Sequence, residues 1–283
     1  MWKPAEFITQ AAYEALLEEV ETTPKPGLVD LNNTGAHTDL TVDLFYRSAL
    51  AIKPMFLRIA KLSLTWEESL PHLFSGIRTI GVEGERQMFE ATNGVNTHKG
   101  ALFSLGLLVG ASAYAWQHHQ SMEPAHICSL VSMMTKTTLQ QELLSLKQGS
   151  PATHGEKLFC LKGQRGIRGE VMDGFPTITA HVLPLFPSCR NPLSQHDKLR
   201  ILLSLMAHLQ DTNILSRGGE KALQFIQETA QTLLLEQETQ ALQSRLLEFD
   251  QACIQRHLSS GGAADLLAAS LFLHRMHISE YPA

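Results

Sequence analysis

The chain has 283 residues, 44% of them hydrophobic and 18% charged, enough apolar material for one large domain with a well-buried core. Its net charge of −5, without a long basic run, argues against nucleic acid as a partner but leaves room for a local anion pocket. Four scattered cysteines, Cys128, Cys160, Cys189 and Cys253, form no CxxC pair and read as reduced thiols of a cytoplasmic protein.

Apolar spacing is helical almost throughout. The acidic, amphipathic start lacks the basic stub and apolar run of a targeting signal, and residues 5–20 place Ile8, Ala11, Ala12, Ala15 and Leu16 on one face. Residues 42–61 repeat the pattern, with Pro54 expected to kink or break the helix. Further helices are expected over 66–92, 100–119, 124–147, 195–210, 219–240, 243–257 and 263–277. Ala101–Trp116 is short for a bilayer span and rich in Gly, Ser and Ala, so it reads as a buried central helix and no membrane is expected as a partner. The segment TITAHVL, Thr177–Leu183, is the best strand candidate, and LPLFPSCRNPLS, 183–194, the best subdomain connector. The expected fold is all-α: a single catalytic domain over 1–283, a multi-helix bundle whose site is built from inter-helix loops.

Those loops carry unusual chemistry for helical turns. In TPKPGLVD, two prolines stiffen the backbone that displays Lys25, and Gly27 permits close approach. Asp30, His37 and Asp39 follow, suited either to a metal or to a capping network. GVNTHKG is no Walker A loop, because its lysine precedes the last glycine and helices flank it. Asn96 or Thr97 can instead cap the next helix, whose free first-turn N–H groups then face the same space as Lys99. In RGEVMDGFP, Arg168 and Glu170 share a face if the backbone is extended, so a salt bridge competes with catalysis. DTNILSRGG offers Asp211 and Asn213 as hard oxygen donors for Mg²⁺, or an Asx-turn, followed by Arg217. SSGGAADLLA bares the amides of Gly261 and Gly262 at a helix start, an anion cradle; Asp265 there would repel a bare phosphate but accept one arriving with Mg²⁺. Together the loops point to an enzyme that binds a polyphosphate with Mg²⁺.

In this order the segments TPKPGLVD, GAHTD, GVNTHKGALFSLGLL, RGIRGEVMDGFP, DTNILSRGG and SSGGAADLLA resemble the triphosphoribosyl-dephospho-CoA synthase family over most of the chain. The resemblance implies an activity: ATP and 3′-dephospho-CoA are taken up, adenine leaves, and the 5-triphosphoribosyl group is joined to the acceptor's 2′-hydroxyl. It also implies a downstream partner, a holo-acyl-carrier-protein synthase that uses the product on a subunit of citrate lyase or malonate decarboxylase. Such chemistry needs cations on the triphosphate, for which Lys25, Lys99, Arg168 and Arg217 are the candidates beside Gly261 and Gly262. Asp211, Asp265 and Asn213 are the candidates for Mg²⁺. Glu170, then Asp39, is the candidate base for the attacking hydroxyl, and His37 or His98 the candidate to assist adenine's departure. His257, Ser260 and Ala263 stand where the family pattern has Asn, Pro and Ser. A nucleotide N-glycosyl hydrolase and a non-catalytic nucleotide binder are the competing readings.

Overall fold

The structure, a computed structural model, describes residues 4–146, 154–187 and 191–279. Among them the chain is all-α, with no strand. Five long helices come first: α1 Pro4–Glu21, α2 Val42–Ser63, α3 Leu70–Ala91, α4 Lys99–Gln117 and α5 Pro124–Leu146. Three short ones follow, α6 His154–Lys162, α7 Gly166–Met172 and α8 Pro176–His181, then a 3₁₀ turn at Leu183–Leu185. The last four are α9 Gln195–His208, α10 Thr212–Leu234, α11 Thr239–Gln255 and α12 Gly261–Ile278. At Gly219 (φ 69°) the backbone of α10 leaves the helical region and the element bends into two pieces.

Two helices are apolar on every face and therefore central. In α4 nearly every residue from Ala101 to Ala115 is buried, and in α12 the run Leu266–His274 is buried without a break. The two pack against each other, with α1, α2, α3 and α5 around α4 and α1 and α9 around α12. Small residues let the layers close: a Cβ on Gly110 of α4 would stand 2.4 Å from Ile77 Cδ1 of α3. One apolar cluster runs from Ala5 to Met276 and includes Val182, just before the expected connector, and Leu193, within it. Because α4 and α12 are anchored along their lengths, their N-termini are fixed points on which loops can be built.

Ala101–Trp116 is thus the buried central helix that its composition implies, and no helix among the described residues is long and apolar enough to cross a membrane. Three local expectations need correction. Thr177–Leu183 is no strand: Pro176 starts α8, and buried Ile178 and Val182, four apart, fit a helix turn as well as an alternating strand. Pro54 does not break α2, which continues to Ser63; Pro54 is exposed near exposed Leu50, where water can serve the freed carbonyl. The RGEVMDGFP loop is largely helix α7, so Arg168 and Glu170 do not share a face. Cys128, Cys160 and Cys253 are free thiols; Cys189 lies outside the described residues.

Phe272 of α12 is fully buried. Phe272→Ala is expected to cost about 3–5 kcal/mol, read as a lower urea midpoint at unchanged slope. Leu50→Ala, on the exposed flank of α2, is expected to stay within about 0.5 kcal/mol of the parent.

Candidate active site

The N-termini of α4, α10 and α12 open onto one cavity of about 540 Å³. Each brings first-turn amides that have no carbonyl partner within the helix and the positive end of a helix dipole, so the backbone alone favours an anion there. Of the candidate residues read from the sequence, Arg168 and Asp30 do not line this cavity and the others given a catalytic, phosphate or metal role do.

The chain's own carboxylates already occupy part of that positive surface. Asp211, buried, is the N-cap of α10, where its Oδ1 accepts from the amides of Asn213 (2.8 Å) and Ile214 (3.4 Å). Its Oδ2 accepts from Ala263 N at 3.2 Å and so caps α12 as well. Gly262 packs closely on this carboxylate: an added Cβ would be 3.1 Å from Asp211 Oδ2, a tight contact. Asp265, from the first turns of α12, bonds the Ala101 amide of α4. At Gly100 an added Cβ would stand 1.9 Å from Asp265 Oδ2, so the last glycine of GVNTHKG makes room for a carboxylate of the chain itself. Burial pushes both carboxyls above their usual range; for Asp265 the nearby Asp211 and Glu19 charges add to the rise. The amide bonds of Asp211 act in the opposite direction.

The loop after α1 is a capping network, the second of the two readings of its acidic residues. Asp30 accepts from the amides of Lys25 (2.8 Å), Asn32 (2.7 Å) and Asn33 (3.0 Å). Asp250 of α11 ties it to the C-terminal half, accepting from Gly27 N at 2.8 Å and Asn33 Nδ2 at 2.9 Å. Lys25 is buried and ion-paired with Glu19 of α1, whose carboxyl burial raises and Lys25 lowers. His37 Nε2 meets Ser259 Oγ at 2.8 Å, while its Nδ1 is 4.0 Å from Asp39. Burial and the Arg217 charge lower the His37 pKa, so the ring is neutral.

His98 is buried just before α4. Its Nδ1 is 2.7 Å from Ser48 Oγ, and Ser48 in turn accepts from Thr97 Oγ1 at 2.6 Å. Ser48 has one hydrogen to give, and when it goes to Nδ1 the ring hydrogen sits on Nε2. Nε2 has no partner, and the residue lines the cavity. Burial and the Lys25 charge push the His98 pKa down to about 3, which makes it a neutral hydrogen-bond donor at ordinary pH. Across the cavity, Glu170 of α7 is held by Thr177 at the start of α8, through Oγ1 (2.7 Å) and the backbone amide (3.2 Å). Burial raises its pKa and the Thr177 bonds oppose the rise.

The remaining cations differ in their freedom. Lys99 pairs with Glu85 at 2.6 Å, Arg217 donates to the His257 carbonyl at 3.3 Å, and Arg168 turns away from the main cavity to Glu156 at 3.0 Å. The structure adds Glu19, Ser48, Thr177 and Asp250, which no loop motif contains. Three of them had a signal in the sequence: Glu19 lies three and four residues after Leu16 and Ala15 on an apolar stripe, Ser48 falls between Leu44 and Ile52, and Asp250 follows Leu246. A polar residue inside such a stripe is buried and must be partnered.

The Gly100–Asp265 contact is testable. Gly100→Ala is expected to lose about 1–3 kcal/mol from overpacking, and in urea unfolding Gly100→Ala combined with Asp265→Ala should cost less than the sum of the two single changes.

The family model CitG, ATP:dephospho-CoA triphosphoribosyl transferase, matches residues 5–281. The chain is 42% identical to Protein CitXG of Haemophilus influenzae, over 95% of its own length and 60% of that protein's. It is 38% identical to the 2-(5''-triphosphoribosyl)-3'-dephosphocoenzyme-A synthase of Haemophilus ducreyi, covering 95% of the chain and 88% of the relative. With its loop segments gathered around one cavity and the match running nearly end to end, the chain belongs to the ATP:dephospho-CoA triphosphoribosyl transferase family.

Proposed function

We propose that the chain transfers the 5-triphosphoribosyl group of ATP to the 2′-hydroxyl of 3′-dephospho-CoA, with release of adenine. The product is the prosthetic-group precursor used by a holo-acyl-carrier-protein synthase acting on a lyase or decarboxylase subunit, in the cytoplasm. The observation that carries this reading is the convergence of three helix N-termini with Lys99, Arg217, Glu170 and His98 on one cavity.

Among the described residues no three His, Cys, Asp or Glu side chains are grouped to cage a metal ion. The donor set nevertheless fits Mg²⁺ delivered by a triphosphate, since such an ion takes one or two carboxylates and completes its shell with phosphate oxygens and water. Asp265 stands in the cavity wall against Gly100, among carboxylates that outnumber the buried cations near it, and Asn213 lies beside Gly261. Asp265 would hold the ion with Asn213, while Asp211, largely engaged with amides, orients the helix starts behind them. When bound, Mg²⁺ supplies charge neutralisation for a triphosphate that stays intact through the reaction. Arg217 and Lys99 take the outer phosphates, Lys99 by releasing Glu85.

Glu170 is the base for the acceptor hydroxyl, being desolvated, aimed by Thr177 and in the cavity wall. His98 donates from Nε2 to a ring nitrogen of the departing adenine as a neutral group. The carboxylates of Asp265 and Glu19 lower the cost of positive charge on the ribose as the glycosidic bond opens.

With ATP and Mg²⁺, free adenine and a mass-shifted CoA product should appear only when dephospho-CoA is present; adenine without acceptor would mean hydrolysis. Glu170→Gln is expected to lower kcat by about 10²–10⁴-fold with ATP binding retained. Since Glu170 works as its anion and its pKa is raised, activity should fall as pH drops through a value above the usual carboxylate range. Thr177→Val removes a bond that favours the anion, so the acid limb should move to higher pH. An unmoved limb would take Thr177 out of this role.

A further inference from the structure

A second cavity, of about 410 Å³, opens on the other side of the α4 N-terminus between α3, α4, α5 and α6. It shares a wall with the first, made of Lys99, Gly100, Gly155, Gly166, Ile167 and Thr212. The two differ in chemistry. The first is lined by helix ends and carboxylates; the second has a floor of Phe74, Ile77, Leu102, Leu139, Leu143 and Phe159, all buried. Lys99 and Arg168 stand among the residues that line it, Arg168 paired with Glu156 and Lys99 with Glu85.

We infer that this second cavity is the acceptor subsite and holds the pantetheine arm of 3′-dephospho-CoA. The inference rests on the transferase reading above. Both substrates of that reaction are adenine nucleotides, and they differ in one large part, the flexible arm of methylene and gem-dimethyl groups joined by two amides that only the acceptor carries. A cavity with an apolar floor, lined also by Arg78, Arg165 and Arg168 and adjoining the polar one, has the mixed chemistry for that arm. The acceptor's diphosphate then lies beside Arg168 and its ribose near Glu170, one turn along α7 from Gly166 and Ile167 of the shared wall. This gives Arg168 a task its exclusion from the first cavity would otherwise deny it, an acceptor phosphate contact instead of an ATP contact. The occupant is the arm and not ATP's adenine, because a cavity of about 410 Å³ is larger than a purine requires.

Gly81 of α3 offers a clean test. It lines the second cavity and not the first, its φ is not positive, and an added Cβ there meets nothing within 4 Å. Gly81→Leu therefore plugs the cavity while improving the helix. In steady-state kinetics the KM for dephospho-CoA should rise about tenfold or more and the KM for ATP should stay within about twofold. In calorimetry, 4′-phosphopantetheine should bind the parent chain in the absence of ATP and lose that binding in Gly81→Leu. An unchanged KM for dephospho-CoA, or a rise in the KM for ATP instead, would overturn the assignment, the latter by placing adenine in the cavity. If the parent chain releases no adenine with both substrates, the transferase reading fails. The calorimetric comparison still decides the pocket, because binding of 4′-phosphopantetheine by both chains, or by neither, contradicts it.

Discussion

The site depends on two carboxylates at the starts of helices, Asp211 buried and Asp265 half-buried. Asp211 caps α10 and α12 together, and Asp265 reaches from α12 to the first turn of α4. A carboxylate taken out of water is costly unless amides and dipoles replace its hydration, and helix N-termini supply both. Each carboxylate therefore ties together helix starts that are distant in sequence. Gly100 and Gly262 are the mark of this arrangement, since a side chain at either would press on an Asp oxygen. These two joints hold the starts of α4, α10 and α12 around one cavity.

The same joints set the electrostatics of the cavity. Three positive helix ends would suit a bare polyanion, but Asp211 and Asp265 offset part of that field, and Glu19 lies close by. Lys25 is committed to Glu19 and Lys99 to Glu85, so little cationic charge is left uncommitted near the wall. On the proposed function, a triphosphate would enter such a site more readily with a divalent ion than alone, and the carboxylates that hold the ion would favour positive charge on a ribose. The desolvated Glu170 and the neutral His98 complete the site, each held by hydroxyl neighbours: Thr177 for one, Ser48 for the other.

Much of this was legible in the sequence, and the failures have physical causes. The long helices follow from apolar periodicity, and a helical bundle with polar, glycine-bearing joints could be expected to gather those joints. Direction was less legible than membership. Gly262 reads as a cradle for phosphate, yet Asp211 lies against it; Arg168 reads as a partner of Glu170, yet a helical α7 sends it to another cavity. Short helices such as α7 and α8 offer too few residues for a period to be distinguished, so Ile178 and Val182 fit strand and helix alike. Glu19, Ser48 and Asp250 were hidden for the opposite reason: they sit inside regular helices, where attention to loops does not look, and only their place in an apolar stripe gives them away.

The central claim is that the cavity's own carboxylates make it a site for triphosphate as a magnesium salt. Titration calorimetry of ATP with the protein, with Mg²⁺ and with a chelator, tests it most directly. The account predicts that removing Mg²⁺ weakens ATP binding by about tenfold or more, and that Asp265→Asn, which keeps the fit against Gly100 but removes the charge, reduces that dependence. Equal affinity for ATP in the chelator and in Mg²⁺ would contradict it.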